Sequence, residues 1–313
     1  MLSWHPSEYP VAVVQGGPSA GRVLYAHLEQ DPAKLLPHRP STLFTADEFA
    51  AGRRAVNLDD LDDVYHALDH GMPPPPHLAP LYARVRDEAT KRAFRQFRLE
   101  GAGKLAAIPQ AVPNQREMPL LMAPSGAGKS TWIANYVEGY RCAFPDNDVV
   151  LFTSKTDPDP AFEGLDIEPV DLERFGEEAA IRAPGPEDFR DSLIVFDDIE
   201  SISPKSVRDA VFALKKSLAE TGRSSNVYLC VSAHRAMRGQ ETKDDLNEAS
   251  GYVVFPRRGS SAHSKRLLET YGGLTKQQVK RVLEQTQGSR WAYCKIKGET
   301  EPYVVTENEV FFL

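Results

Sequence analysis

The stretch that most constrains this chain runs from Glu117 to Thr131, Glu-Met-Pro-Leu-Leu-Met-Ala-Pro-Ser-Gly-Ala-Gly-Lys-Ser-Thr. A short apolar run there opens into small residues and closes on Gly128-Lys129-Ser130-Thr131. Phosphate oxygens need many converging donors at close range, and a loop without bulky side chains lets backbone N–H groups curl around them at a helix N-terminus. Ala123, Pro124, Ser125, Gly126, Ala127 and Gly128 form such a loop. In a P-loop the Lys129 ammonium bridges the β- and γ-phosphates of a nucleotide and the Ser130 hydroxyl takes one position on Mg²⁺, with Thr131 a flanking candidate. The pattern G-x-x-x-x-G-K-[ST] is met except at its first position, where Ala123 replaces Gly. The rival reading, a Gly-rich surface turn before an ordinary helix, does not account for the strand-before, helix-after context that the P-loop requires.

The chain around this loop alternates apolar runs with helical periodicity. Residues 148–153 and 192–198 read as strands buried on both faces, 226–232 as another, and 167–170 as a further short one. Residues 206–220 place Val207, Val211, Leu214 and Leu218 at helical spacing. The expected fold is therefore α/β, a P-loop NTPase with a mostly parallel central sheet flanked by helices, with ligands beyond the carboxyl ends of the strands.

The run Leu193-Ile194-Val195-Phe196 ends in two adjacent carboxylates, Asp197 and Asp198. Burying such a pair at a strand end is costly without a cation, which points to a metal–phosphate role. Asp197 sits as the Walker B acid on the Mg²⁺ side and Asp198 where a water-activating carboxylate belongs. Helix capping by Asp198 is the plainer alternative, and Glu200 is a second candidate base. The strand ending Val231-Ser232-Ala233-His234 offers Ser232 and His234 as polar residues that reach between the two motifs and sense the γ-phosphate, against a surface histidine as the plain reading. Arg223, before that strand, and Arg257 or Arg258, after the next, are candidates for a guanidinium inserted by a neighbouring subunit, although ordinary surface arginines are commoner.

Residues 1–115 are expected to form an N-terminal extension of unknown fold, with a strand at 9–14, a Pro-rich linker at 72–80 and a basic helix at 81–100; residues 116–313 form the P-loop ATPase domain with its C-terminal segment. The basic helix reads as a solvated face, with contact to a phosphate backbone as the sharper alternative. Four aspartates within 57–65 suit the solvated face of an amphipathic helix better than a calcium loop. No run approaches the roughly 20 apolar residues of a membrane span, and the first residues lack the pattern of a secretory leader, so a soluble, unsecreted chain is expected. Cys142, Cys230 and Cys294 are far apart and odd in number, which excludes a disulfide framework and zinc-ligand spacing. The net charge of −7 argues against a blanket nucleic-acid binder. A ring needs basic charge only on its lining, so DNA stays open.

Taken together, Ala123 to Thr131, Phe152-Thr153-Ser154-Lys155, Leu193 to Glu200, Ser232-Ala233-His234, the run from Leu246 to Arg257 and Leu267 to Leu274 resemble the genome-packaging ATPases of nucleocytoplasmic large DNA viruses, within the FtsK/HerA-like P-loop superfamily. The similarity covers about residues 116–285 and resides in order and spacing. It implies a homo-oligomeric ring that hydrolyses ATP with Mg²⁺ and threads double-stranded DNA into a capsid. It further implies capsid or inner-membrane proteins as partners, and the host cytoplasm (viral factory) and the virion as its places. The chain departs from the wider superfamily at Ala123 and at the strand tip, where Ser232 or His234 stands for a frequent Gln. Two rivals are a nucleotide-dependent phosphotransferase, which would need no water-activating acid, and a nucleotide-gated scaffold, which would be expected to lack Lys129 or Asp198.

Overall fold

A run such as Leu193-Ile194-Val195-Phe196 cannot face water on either side, so it must lie between two covering layers. In the computed structural model, which describes residues 1–4, 6–28, 58–69, 72–110, 116–155, 159–233, 239–259 and 261–313, that is where it lies. The strands of the N-terminal part are β1 (Leu2–Ser3), β2 (Tyr9–Gln15), β3 (Val23–Ala26), β4 (Gln96–Arg98) and β5 (Lys104–Ala107). Those of the middle are β6 (Pro119–Met122), β7 (Asp148–Thr153), β8 (Glu168–Pro169), β9 (Ser192–Asp197), β10 (Tyr228–Ala233) and β11 (Gly251–Val254). The last three are β12 (Ala292–Lys295), β13 (Tyr303–Thr306) and β14 (Glu309–Phe312).

Ten of these form one sheet in the order β4-β14-β13-β12-β11-β6-β10-β9-β7-β8. From β11 to β8 the neighbours are parallel, and from β4 to β11 they are antiparallel. The strand carrying the P-loop, β6, is thus separated from the strand carrying Asp197, β9, by the inserted β10. A second, four-stranded sheet has the order β1-β3-β2-β5 and covers part of one face.

Eight helices are described: α1 (Leu58–Asp69), α2 (Ala79–Arg95), α3 (Lys129–Ala143), α4 (Leu172–Ile181), α5 (Lys205–Thr221), α6 (Gly239–Glu248), α7 (Ser261–Arg266) and α8 (Lys276–Gln285). Side chains alternate along a strand, so the sheet builds two cores. On one side Leu193, Val195, Tyr228 and Cys230 pack with Trp132, Ile133, Tyr136 and Tyr140 of α3 and with Val11, Val14 and Leu105 of the small sheet. On the other, Ile194, Phe196, Leu229 and Val231 pack with Val207, Val211, Leu214 and Leu218 of α5 and Val279 and Val282 of α8. Gly139 shows why α3 can lie so close: a Cβ there would stand 2.2 Å from the Ala107 carbonyl oxygen of β5.

The expected strand at 9–14 is β2, and the aspartate-rich stretch is helical, with Val64 buried and Asp59, Asp62 and Asp63 exposed. Two expectations for the N-terminal part need correction. Within the Pro-rich stretch at 72–80 only residues up to Pro75 lack regular structure; a 3₁₀ turn at Pro76–Leu78 leads directly into α2. The basic helix stops at Arg95, and the chain continues as β4, pairing with β14 and burying Phe97 at its edge. Aromatic and helical periodicity in 81–100 hid that change because three residues are too few to show a period of two. Arg95 and Arg98 reach Glu301 and Glu309 at 2.6 and 3.7 Å, so both are engaged within the chain.

Candidate nucleotide site

Strand β6 ends at Met122, and the next six residues turn the chain into α3. Gly126 at φ +74° and Gly128 at φ +102° occupy the left-handed region, where a side chain is strained. Gly128 is the residue before α3, so the helix starts at Lys129 with its unpaired N–H groups facing the loop. Lys129 folds back over the loop: its Nζ donates to the Ala123 carbonyl at 3.1 Å and stands 4.0 Å from Asp198 Oδ1. The side chain is buried. Desolvation lowers its pKa from the usual lysine value, more than Asp198 and Asp197 raise it.

Because β10 lies between β6 and β9 with Ser232 level with Leu121, its tip can reach both motifs. The Ser232 hydroxyl donates to Asp197 Oδ1. Asp197 itself is 1% exposed, so its charge must be met inside the protein. Lys155, two residues past the end of β7, meets it: Nζ is 3.2 Å from Asp197 Oδ2, 3.1 Å from Asp159 Oδ2 and 3.6 Å from Asp198 Oδ2. Burial alone would lower the Lys155 pKa, but Asp197 and Asp159 outweigh it and the net shift is upward.

Asp159 caps the 3₁₀ turn Pro160–Phe162 by accepting from the Ala161 N–H at 3.0 Å, and it also accepts from the Ser130 hydroxyl. Its burial would raise its pKa; the Ala161, Ser130 and Lys155 donors reverse this and hold it below the usual carboxylate range. Asp198 lies one residue past β9 at φ +56°, a left-handed turn, with its carbonyl accepting from Ser154 Oγ at 3.0 Å. Glu200, exposed on the next turn, acts on Lys129 more weakly than Asp198 and Asp197 do.

Ser130, Asp159 and Asp197 supply hard oxygen donors beside the P-loop, which is the donor chemistry Mg²⁺ takes. Among the described residues no group of three or more His, Cys, Asp or Glu closes on a metal by itself.

Of the residues singled out in the sequence, the structure thus brings Ala123 to Thr131, Asp197, Asp198 and Ser232 to one place. His234 lies outside the described residues. Arg223 is exposed on the 3₁₀ turn Gly222–Ser225, before the start of β10 and therefore at the opposite end of the parallel strands from its own P-loop. Arg257 donates to the Gly288 carbonyl. Arg258, considered above as an arginine for a neighbour, instead donates from Nη1 to the Gly126 carbonyl of its own P-loop at 2.7 Å. Roles for Lys155 and Asp159 were not foreseen. The signal for them was position, since both follow a parallel strand beside β9 at its carboxyl end.

A P-loop on a strand separated by one strand from a paired-aspartate strand defines an additional-strand P-loop NTPase fold. Among curated proteins, the chain is 35% identical over 188 residues to an uncharacterized protein, V3, of Sputnik virophage; the match spans 59% of this chain and 73% of that one. The chain belongs to the family of that virophage protein. No family model matches it. Solved structures similar to it include the genome packaging NTPase B204 of Sulfolobus turreted icosahedral virus 2, at 11% identity over 61% of this chain and 96% of that one, with a TM-score of 0.40. Another is the cytoplasmic domain of the Thermomonospora curvata type VII secretion ATPase EccC, at 16% identity over 69% and 28% of the two chains and a TM-score of 0.40. A third is the pCW3 conjugation coupling protein TcpA, at 13% identity, 70% and 66%, and 0.37. The fold assignment rests on the strand order and the loop geometry given above.

Proposed function

We propose that this chain hydrolyses ATP and uses the cycle to move double-stranded DNA during packaging of a viral genome, as a homo-oligomeric ring. The observation that carries the hydrolytic part is the 4.0 Å approach of Asp198 Oδ1 to Lys129 Nζ. It puts a second carboxylate beside the ammonium that would hold the β- and γ-phosphates, where a base for the attacking water is needed. A phosphotransferase would need no water-activating acid there.

In this reading the P-loop N–H groups and Lys129 bind and orient the phosphates, and Asp198 accepts the proton of the attacking water. Ser232 holds Asp197 in register with the P-loop strand. Ser130 and Asp197 would hold Mg²⁺, which supplies charge neutralisation at the β- and γ-phosphate oxygens. Arg258, through the Gly126 carbonyl, steadies the loop in its own subunit. Arg223, exposed at the opposite end of the parallel strands from its own P-loop, is then the candidate for the neighbour's site. Mixing Arg223→Ala with Asp198→Asn subunits should restore part of the activity if it acts there; absence of rescue at every ratio would return Arg223 to the surface.

The DNA part is supported by the motif resemblance and by exposed basic residues on α7 and α8, among them Lys265, Arg266, Lys276 and Lys280. A translocase must hold the backbone without reading bases, so binding should release counterions. Retention of duplex DNA should fall linearly on a log–log plot against salt, with little preference among sequences. Salt-independent retention or none would leave an ATPase with another client. The same proposal places the protein in the host cytoplasm and the virion, with capsid or inner-membrane proteins as partners.

A further inference from the structure

Three carboxylates converge on one ammonium in this site. Lys155 Nζ lies within 3.6 Å of Asp159, Asp197 and Asp198. Asp197 is buried, and Asp159 is tied to Ser130 by the hydroxyl it accepts from. These are also the oxygens on which a divalent cation beside Ser130 would draw. A divalent ion that takes these oxygens competes with Lys155 for them and brings a second positive charge close to the ammonium, which weakens the hold of the carboxylates on Lys155. The Lys155 side chain keeps 35% of its surface exposed, so it has a solvent side toward which it can leave. Lysine suits a departing cation better than arginine would, being a compact charge on a flexible stem without a two-pronged grip.

We propose that Lys155 is a resident counter-cation of the metal site, displaced when a divalent ion binds with nucleotide, and that this competition sets the metal dependence of nucleotide binding. The inference rests on the nucleotide-binding reading above and deepens it. Displacing Lys155 frees Asp159 of its i,i+4 partner, while coordination draws the Ser130 oxygen away from the same carboxylate. Metal entry therefore loosens two of the contacts that Asp159 makes, those with Lys155 and Ser130. Lys155 is a positioning residue here: it acts through the carboxylates and needs no contact with phosphate.

The test uses ADP, which lacks a γ-phosphate, so that a role of Lys155 at that group would not contribute. Binding of a fluorescent ADP to the full chain is measured as Mg²⁺ is raised, in the wild type, Lys155→Met, Lys155→Gln and Lys155→Arg. Loss of one competing, part-exposed cation should lower the Mg²⁺ midpoint by about tenfold in the Met and Gln variants, whereas Lys155→Arg, whose fork holds the carboxylates more firmly, should leave it at or above the wild-type value. An unchanged or higher midpoint in both neutral variants overturns the proposal. Failure of the wild type to bind ADP at any Mg²⁺ concentration would instead defeat the nucleotide reading, and this inference with it. A second measurement needs no variant: acylation of Lys155 by an amine-reactive ester, followed by mass spectrometry. It should rise severalfold when Mg²⁺ and ADP are added together and stay level with ADP alone. Labelling that is unchanged or falls with Mg²⁺ and ADP contradicts displacement.

Discussion

The Ser232 hydroxyl donates to Asp197 Oδ1 across the boundary between β10 and β9, joining the acid at the end of one strand to a strand that is also paired with the P-loop strand. A hydrogen bond to a charged group contributes roughly 1.5–3 kcal/mol. If Ser232 orients Asp197 in the transition state, Ser232→Ala should lower kcat by about ten- to a hundredfold while nucleotide affinity changes little. Steady-state kinetics with direct nucleotide titration separate the two; a loss confined to affinity would make Ser232 a binding residue.

Lys129 is buried, and desolvation lowers its pKa below the usual 10.5. Folding therefore disfavours its charged form, and the unfolded chain binds more protons between the folded and unfolded values, so this group lets stability rise with pH across that window. Lys129→Met should remove that rise and leave the melting temperature near neutral pH equal to or above that of the wild type, while nucleotide binding is lost. A folded variant that still hydrolyses ATP would sink the assignment of the loop.

Asp197 and Asp198 differ in surroundings although adjacent. Asp197 is enclosed and held by Ser232 and Lys155, whereas Asp198 turns toward Lys129. Asp198→Asn should keep ATP bound but unhydrolysed, and Asp197→Asn should weaken the Mg²⁺-dependent part of binding. Equal loss of binding in the two variants, measured by calorimetry with and without Mg²⁺, would contradict divided roles.

Two residues before the P-loop strand, Glu117 is buried against Lys295 Nζ at 2.6 Å, and also accepts from the Gln110 N–H at 3.0 Å and the Tyr293 hydroxyl at 3.2 Å. Removing one partner of such a pair leaves an uncompensated buried charge and costs about 3–5 kcal/mol. Glu117→Gln should lose that much in urea unfolding, and Glu117→Gln with Lys295→Met should lose less than the single variants summed. Strict additivity would show that the pair is not coupled.

The parts of this architecture that were legible in the sequence are those written in contiguous residues. Leu193 to Asp198 announces a strand buried on both faces with charge at its tip, and Ala123 to Thr131 announces a phosphate loop, because each signal fits within a dozen residues. The order in which β10 inserts between β6 and β9 is not in any one segment. Neither is the site's electrostatic balance: Lys155 meets Asp197 from 42 residues away, and Arg258 meets Gly126 from 132. Such contacts exist only once crossovers bring strand ends together. Glu117 shows the same limit, since its partner Lys295 lies on β12.

The central claim is that hydrolysis at this site drives movement along duplex DNA. The most direct measurement is the ATPase rate per subunit with and without long double-stranded DNA, over a range of protein concentrations. The rate should rise as subunits assemble and rise again when duplex DNA is added, with Asp198→Asn inactive in both conditions. Hydrolysis at the same rate with and without DNA, in an assembled protein that also fails to retain duplex DNA at low salt, would contradict it.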